Sequence, residues 1–151
     1  MLSEGLVVVT EPGRSIVGDS GVLLTRVVYV KDQGPKRFVI VDAAMTELIR
    51  PSLYGAYHAI MPVRPREGAM REVDVVGPVC ESGDFLARGR TMPVVEEGDL
   101  LAIRGAGAYG REMSMTYNGR PHAAEAMVEA GTYRVVRARG TVSSLWDGEP
   151  V

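Results

Sequence analysis

The residues best suited to chemistry lie together in the stretch Gly77–Asp84, which reads Gly-Pro-Val-Cys-Glu-Ser-Gly-Asp. It holds Cys80, the only cysteine of the 151 residues, followed directly by Glu81 and a Ser-Gly turn. Residues 71–77 carry the alternating and β-branched side chains that predict a strand. A thiol and a carboxylate therefore stand where a strand ends and a tight loop begins, a common position for functional groups. The alternative is a half-buried structural cysteine, because free cysteine is among the most buried residue types.

Two further stretches place charges beside turns. Leu6–Thr10 is a continuous apolar run that predicts a buried strand, and Glu11-Pro-Gly-Arg14 follows it as a turn. Arg50–His58 collects cations and aromatic rings around a proline and a glycine, which makes it a poor core element. Met45–Ile49 before it predicts a helical turn, which Pro51 interrupts. Taken alone, these stretches also fit a surface turn and a solvated loop.

Gly105-Ala-Gly-Ala-Tyr-Gly110 matches the dinucleotide pattern G-x-G-x-x-G after a predicted strand. That pattern binds a pyrophosphate only where a helix opens at it, whereas Arg111–Pro121 reads as a loop broken by Asn-Gly and Pro. We interpret the glycines as allowing a sharp turn that presents Tyr109. His58 and His122 lack metal-ligand spacing, so no metal site is predicted and both are expected to be hydrogen-bonded supporting residues.

The composition is that of a single globular domain, with 46% hydrophobic and 24% charged residues. The net charge of −2 comes without a basic run or an acidic tail, which argues against nucleic acid and an anionic membrane as partners. No apolar run approaches the roughly 20 residues of a membrane-spanning helix, and the first residues lack a signal-peptide pattern. One cysteine excludes an internal disulfide, so the cytoplasm is the expected compartment.

The predicted fold is all-β for the most part, with short helical turns. Strands are predicted at residues 22–30, 37–42, 59–63, 71–79, 98–103 and 132–137, the first two as a hairpin. Phe85–Met92 is expected to be a polar connection, and Thr141–Trp146 a final helical turn. Many short strands separated by glycine and proline indicate a sandwich or a barrel.

Five motifs carry a resemblance to a known family. In chain order they are Glu11-Pro-Gly-Arg14, Arg50-Pro-Ser-Leu-Tyr54, Gly77–Asp84, Ala106-Gly-Ala-Tyr-Gly110 and Tyr117-Asn-Gly-Arg-Pro121. Together they resemble the C-terminal portion of the diaminopimelate decarboxylases, fold-type III enzymes that use pyridoxal phosphate (PLP). Glutamate after the cysteine favours this family over ornithine and arginine decarboxylases, which typically carry aspartate there. Pro-His122 departs from the family's more usual Pro-Arg.

The resemblance implies a Greek-key sandwich or barrel-like C-terminal domain that lacks the family's N-terminal β/α barrel. Residues 1–20 would be the remnant of the last barrel strand with the turn at the PLP phosphate, and residues 21–151 the C-terminal β-domain. The implied activity is decarboxylation of meso-diaminopimelate to L-lysine and CO₂ in lysine biosynthesis. The implied cofactor contacts are Glu11, Pro12, Gly13, Arg14 and Tyr109.

On the substrate side, the resemblance implies that Arg50 and Tyr54 hold the distal carboxylate and that Glu81 binds the distal ammonium group. Arg14 and Tyr109 would touch the substrate as well as the cofactor. Cys80 would be the general acid that returns a proton after CO₂ leaves. These residue types suit their roles, because the arginine fork matches carboxylate and phosphate, and a protonated thiol can donate a proton.

One requirement of PLP chemistry is missing from the sequence. The cofactor needs a Schiff-base lysine, and Lys31 and Lys36 stand at a predicted hairpin turn away from every motif. In the family that lysine lies in a β/α barrel of roughly 250 residues, for which this chain has no room. The chain alone is therefore expected to be inactive. The implied partners are the barrel segment and a second subunit, whose site Cys80 and Glu81 would reach in an obligate homodimer.

Two other functions stay open at this point. One is a related PLP-dependent decarboxylase that acts on another amino acid, and the other is a non-catalytic β-domain that binds a partner. Whether Arg50 and Glu81 face a distal carboxylate and ammonium group distinguishes the first alternative from a diaminopimelate decarboxylase. PLP absorbance, measured with and without a barrel-domain partner, distinguishes the second alternative from both enzymes.

Overall fold

The computed structural model describes residues 5–65 and 67–150, and within them eight strands form one six-stranded and one two-stranded sheet. In chain order the elements are α1 (Gly13–Val17), β1 (Val22–Gln33), β2 (Lys36–Val41), α2 (Arg50–Tyr54), β3 (Ile60–Pro62), β4 (Met70–Val76), β5 (Phe85–Pro93), β6 (Leu100–Arg104), β7 (Glu125–Glu129) and β8 (Thr132–Arg137). Short 3₁₀ turns cover Gly18–Ser20, Arg111–Met113, Tyr117–Gly119 and Ser143–Trp146. The predictions of a mostly-β fold and of a final helical turn are confirmed.

The large sheet has the strand order β3-β6-β1-β2-β4-β5 and curls into a nearly closed barrel. The predicted hairpin forms between β1 and β2, with Val27 opposite Val41. The two ends of the strand order meet, because Arg90 of β5 donates to the carbonyl oxygen of His58, just before β3, at 2.8 Å. The same guanidinium lies 3.9 Å from the centroid of the Tyr57 ring. Because its two ends meet, the sheet covers its own inner face and needs few helices to do so.

The core fills the inside of this curled sheet. Val39 and Val41 of β2 and Leu101 and Ile103 of β6 are fully buried, as is Val75 of β4. Their spacing of two residues places them on one face of their strands. Full burial of one such side chain stabilises a fold by about 1.5–3 kcal/mol, so these positions hold the barrel wall in shape.

The prediction of a buried strand at Leu6–Thr10 is wrong for this chain. The run lies outside both sheets and its side chains are exposed, Val7 by 87%. An apolar run is buried as a strand only when neighbouring strands pair with it, and neither sheet pairs with this one. That the run is the last strand of a β/α barrel stays a prediction.

Pro51 lies in the first turn of a helix instead of interrupting one. The predicted helical turn does form just before it, where the amide of Leu48 donates to the carbonyl of Ala44 at 3.2 Å. α2 then starts at Arg50 with Pro51 in its first turn, where no backbone N–H is needed. The helix ends at Gly55, whose φ of 63° is the left-handed conformation common at helix C-termini.

The prediction of a polar connection at Phe85–Met92 is also wrong, because this segment is the long strand β5. Leu86, Ala87 and Met92 are buried while the charged residues between them face outward. The register against β4 shifts between Val73 and Val75, and the amide of Gly89 donates to Asp74 Oδ1 at 2.7 Å. A β-bulge of this kind inserts an extra residue and so hides the alternating pattern of the strand.

The small sheet is the antiparallel pair β7–β8, which confirms the strand predicted at residues 132–137. Its side chains are largely exposed, including Val128 and Tyr133. Among the described residues, no helix has the length and apolar character needed to cross a membrane.

Candidate functional site

The Cys80 loop follows β4 and is held by the carboxylate of Asp84, which is buried. Asp84 Oδ2 accepts from the amide of Val79 and Oδ1 from the amide of Met45, both at 2.7 Å. A Cβ on Gly77 would collide with this carboxylate, so a glycine is required where the strand enters the loop. The loop is therefore a fixed turn, as the sequence predicted for the end of this strand.

Cys80 and Glu81 stand at the tip of this loop and are exposed. The exposure of Cys80 argues against the half-buried structural cysteine considered above. Glu81 Oε1 accepts from the amide of Gly83 at 3.1 Å, and its Oε2 accepts from the hydroxyl of Tyr117 at 3.3 Å. The carboxylate is thus oriented yet open to solvent, and an ammonium group could bind it.

Tyr117 has no role in the sequence-based prediction, although it lies in one of the five motifs. Its loop is tied down by Arg120, whose Nη2 donates to the carbonyl of Asp42 at 2.7 Å. The Nε of Arg120 donates to Thr46 Oγ1 at 3.2 Å, and the amide of Met115 donates to the carbonyl of Thr46 at 3.0 Å. The motif containing Tyr117 and Arg120 was the signal that could have identified this support for Glu81.

A second group of predicted residues lies around α2. Arg50 begins this helix, and its guanidinium carbon is 6.0 Å from the centroid of the Tyr109 ring. Tyr109 is exposed and has a φ of 57°, which is uncommon for a residue other than glycine. Tyr54, at the last position of α2, is exposed. Arg50 and Tyr109 are therefore close enough to act on one ligand.

The segment that follows the Glu11–Arg14 turn packs against the glycine-rich stretch that precedes Tyr109. The amide of Gly107 donates to the carbonyl of Gly18 at 3.0 Å, and a Cβ on Gly107 would collide with the carbonyl of Val17. Glycine is needed here because two backbones touch. β6, which precedes the stretch, pairs antiparallel on both sides and leads into turns, so the helix that the dinucleotide pattern requires does not follow it. Pro12 and Gly13 open α1, which carries Arg14, and all are exposed.

The structure thus brings the predicted residues into two groups. Arg50 and Tyr109 form one, and Cys80 and Glu81 the other. Within the described part of the chain, no hydrogen bond or ion pair joins the two groups directly. An open cleft of about 520 Å³ beside the Cys80 loop is lined by Glu81 but by neither Arg50 nor Tyr109. Lys36 also lines this cleft, so it lies nearer to the Cys80 loop than its place in the sequence indicates.

The two histidines are hydrogen-bonded, as predicted. His58 contacts Arg50 and the carbonyl of Arg104, and His122 Nδ1 lies 2.9 Å from Ser114 Oγ.

Comparison with known proteins decides the family. Residues 8–107 match the family described as pyridoxal-dependent decarboxylase, C-terminal sheet domain. The chain belongs to this family. It is 56% identical over 144 residues to the diaminopimelate decarboxylase of Pseudomonas aeruginosa, covering 95% of this chain and 34% of that protein. It is also 52% identical over 132 residues to the diaminopimelate decarboxylase of Aquifex aeolicus, covering 87% of this chain and 31% of that protein.

The fold of this decarboxylase domain is shared with solved structures. The crystal structure of diaminopimelate decarboxylase from Helicobacter pylori complexed with L-lysine superimposes with a TM-score of 0.83 at 48% identity. The match covers 89% of this chain and 33% of that one. The chain therefore spans about a third of the length of the decarboxylases that it matches.

The residues of this decarboxylase domain fit one side of a PLP site. Arg14 offers an exposed guanidinium of the kind that binds phosphate, and the segment after it packs on Gly107, two residues before the exposed Tyr109. The lysine that the cofactor needs is not among them. Lys31 and Lys36 belong to the β1–β2 hairpin, and Lys36 Nζ lies 3.9 Å from Asp74.

Proposed function

We propose that the complete enzyme converts meso-diaminopimelate to L-lysine and CO₂ in lysine biosynthesis, and that this chain is its C-terminal domain. The observation that carries the proposal is 56% identity over 95% of the chain to a diaminopimelate decarboxylase. The catalytic lysine and the β/α barrel come from residues outside this sequence. The enzyme works in the cytoplasm, where a reducing medium keeps the thiol of Cys80 free.

The chain contributes binding groups and a proton donor. PLP, when bound, supplies the electron sink for the decarboxylation. Arg14 binds its phosphate in the turn made by Glu11, Pro12 and Gly13, and Tyr109 touches both cofactor and substrate. Arg50 and Tyr54 bind the distal carboxylate, because a guanidinium forms two parallel hydrogen bonds to it. Glu81 binds the distal ammonium group, and the thiol of Cys80 gives a proton to the substrate carbon after CO₂ leaves.

We infer further that the enzyme is a homodimer with shared active sites, in which Cys80 and Glu81 enter the partner's site. The separation of these two residues from Arg50 and Tyr109 supports this arrangement, because one chain then supplies parts of two sites. The exposed apolar side chains of Leu6–Val9 and of the β7–β8 hairpin also support a larger assembly. Exposed apolar surface of this extent marks regions that other protein surfaces cover.

Mixing two inactive variants tests the shared site. One carries Cys80→Ala and the other lacks the catalytic lysine of the barrel. After dissociation and random reassociation, about half of the dimers are mixed and each has one intact site, so roughly a quarter of the wild-type kcat is expected. Each variant taken through the same treatment alone is the control. Activity no greater than the sum of the two controls would show that Cys80 serves its own subunit's site.

Purified alone, this chain is expected to form no covalent bond with PLP and to release no CO₂ from meso-diaminopimelate. Lys36 is ion-paired with Asp74 and its side chain is 68% exposed, whereas a Schiff-base lysine is activated by desolvation or by a neighbouring cation. The complete enzyme, measured beside it, is expected to hold PLP through dialysis and to release CO₂. The measurements are the visible absorbance of the protein and borohydride trapping followed by mass spectrometry. Trapped PLP on Lys31 or Lys36 would contradict the proposed division of the site.

A further inference from the structure

His58 is a buried side chain to which the proposed reaction gives no role. Its exposed fraction is 3%, yet both of its ring nitrogens have polar partners. Nδ1 lies 2.9 Å from the carbonyl oxygen of Arg104, and Nε2 lies 3.4 Å from Nη1 of Arg50. The imidazole therefore bridges the end of β6 and the first residue of α2.

The two partners determine how the ring is used. A carbonyl oxygen can only accept, so Nδ1 carries the proton and donates it to Arg104. A guanidinium can only donate, so Nε2 is the unprotonated nitrogen that accepts from Arg50. The hydrogen bond at one nitrogen thus fixes the tautomer at the other, and the lone pair of Nε2 is directed at Arg50.

The acceptor at Nε2 is held rigidly. The carbonyl oxygen of His58 accepts from Arg90 at 2.8 Å, and the next residue, Ala59, accepts from the amide of Arg104 at 2.9 Å. The backbone on both sides of the ring is thus tied to strands β5 and β6. Arg50 is only partly buried, and among the described residues His58 is the one hydrogen-bond partner of its side chain.

The partner of Arg50 is an imidazole and not a carboxylate, and this difference affects what Arg50 can bind. Within residues 5–65 and 67–150, no carboxylate forms an ion pair with Arg50. An aspartate or glutamate in place of the ring would also orient the guanidinium, but it would neutralise the charge and compete with an incoming carboxylate. Imidazole accepts one hydrogen bond and leaves both the positive charge and the remaining N–H groups for a ligand.

We infer that His58 is a positioning residue for substrate specificity: it holds the Arg50 guanidinium, still fully charged, toward the distal carboxylate of the substrate. This inference rests on the proposed role of Arg50 in binding that carboxylate. Fixing a flexible side chain before binding lowers the entropy lost when the ligand arrives. The benefit applies to ligands with a distal carboxylate, such as diaminopimelate and L-lysine, and not to 1,5-diaminopentane, which is lysine without its carboxylate.

Two substitutions in the complete enzyme separate the two hydrogen bonds of the ring. In His58→Asn the amide nitrogen can take the place of Nδ1 and donate to Arg104, but the side chain is too short to reach Arg50. In His58→Gln the longer side chain can place its amide oxygen near the former position of Nε2. His58→Asn thus keeps the hydrogen bond to the carbonyl of Arg104, and His58→Gln keeps a hydrogen-bond acceptor for Arg50.

We expect His58→Asn to raise KM for meso-diaminopimelate by roughly three- to tenfold, because the guanidinium stays in the site but is no longer held toward the carboxylate. The inhibition constant of 1,5-diaminopentane should stay within about twofold, and His58→Gln should restore most of the loss in KM. In an Arg50→Ala background, His58→Asn should have no further effect on KM, because a positioning residue acts only through the side chain that it positions.

The outcomes distinguish this inference from the proposed function. If Arg50→Ala leaves KM for diaminopimelate unchanged, the role of Arg50 is wrong and both proposals fail. If Arg50→Ala raises KM but His58→Asn does not, or if His58→Asn acts equally in the Arg50→Ala background, only the role of His58 is overturned. Equal weakening of 1,5-diaminopentane and diaminopimelate binding, or loss of the folded state in both His58 variants, would likewise overturn it, since either would make His58 a packing residue.

Discussion

Replacing Cys80 with alanine in the complete enzyme is expected to lower kcat by about 10²–10⁴-fold while PLP stays bound. The expectation follows from the position of the thiol, which is exposed at the tip of a loop that Asp84 holds in place. The substitution removes a proton donor and no contact to the cofactor. Steady-state CO₂ release gives kcat, and the visible absorbance of the dialysed protein gives the bound PLP.

Two matched variants test whether the thiol itself is responsible for that loss. Ser82→Ala changes an exposed side chain two residues further along the same loop and should leave kcat within about twofold. Cys80→Ser keeps a group of similar size whose proton is held more tightly, and its kcat should lie between those of the wild type and Cys80→Ala. Full activity in Cys80→Ala, or loss of PLP from it, would show that Cys80 is not the proton donor.

The parts of the fold that the sequence predicted correctly are those with strong local patterns. The β1–β2 hairpin, the strands at residues 71–79 and 132–137 and the final helical turn each have alternating or turn-forming residues of their own. β5 was missed because its bulge at Gly89 breaks the alternation and places arginines in the strand. Leu6–Thr10 was predicted as a buried strand because its residues are apolar. Its composition does not show whether the strands that would pair with it belong to this chain.

In the candidate site, too, the residue types could be predicted from local sequence, whereas their spatial relations could not. The motifs predicted Arg50, Cys80, Glu81 and Tyr109 as site residues, since each residue type suggests its chemistry. Distances in sequence could not tell that Arg50 lies beside Tyr109, or that Cys80 and Glu81 belong to a separate group. These relations depend on the curled six-stranded sheet, which joins segments from both halves of the chain. Supporting residues were missed for another reason: a buried histidine such as His58 has the same sequence signature whether or not it orients a functional group.

Arg50→Ala and Glu81→Ala are each expected to lower kcat/KM for meso-diaminopimelate at least roughly tenfold in the complete enzyme. One charged hydrogen bond is worth about 1.5–3 kcal/mol, and 1.4 kcal/mol corresponds to a factor of ten. Glu81 is oriented by Tyr117 and Gly83, and Arg50 by His58, so both charges are in place before the substrate binds. The measurement is the initial rate of CO₂ release over a range of substrate concentrations.

Conservative variants separate charge from shape at the two positions. Glu81→Gln keeps an acceptor for Tyr117 and Gly83 but loses the negative charge, so it should resemble Glu81→Ala in its effect on kcat/KM. Arg50→Lys keeps the charge but loses the planar fork, so it should recover only part of the loss seen in Arg50→Ala. A Glu81→Gln variant with wild-type kcat/KM would show that the carboxylate does not bind an ammonium group.

Inhibition by 1,5-diaminopentane then assigns each residue to its group at the distal end of the substrate. CO₂ leaves from the reacting end of diaminopimelate, so L-lysine keeps both the distal ammonium group and the distal carboxylate. The diamine has a distal ammonium group but no carboxylate, so it can contact Glu81 and has nothing to offer Arg50. Its inhibition constant should therefore rise in Glu81→Ala and change much less in Arg50→Ala, whereas lysine binding should weaken in both variants. The tenfold loss with diaminopimelate in both variants is the internal control that both side chains reach the site. Equal weakening of diamine binding in the two variants, or unchanged lysine binding in Arg50→Ala, would mean that Arg50 does not recognise a distal carboxylate, and would favour a decarboxylase of this family that acts on another amino acid.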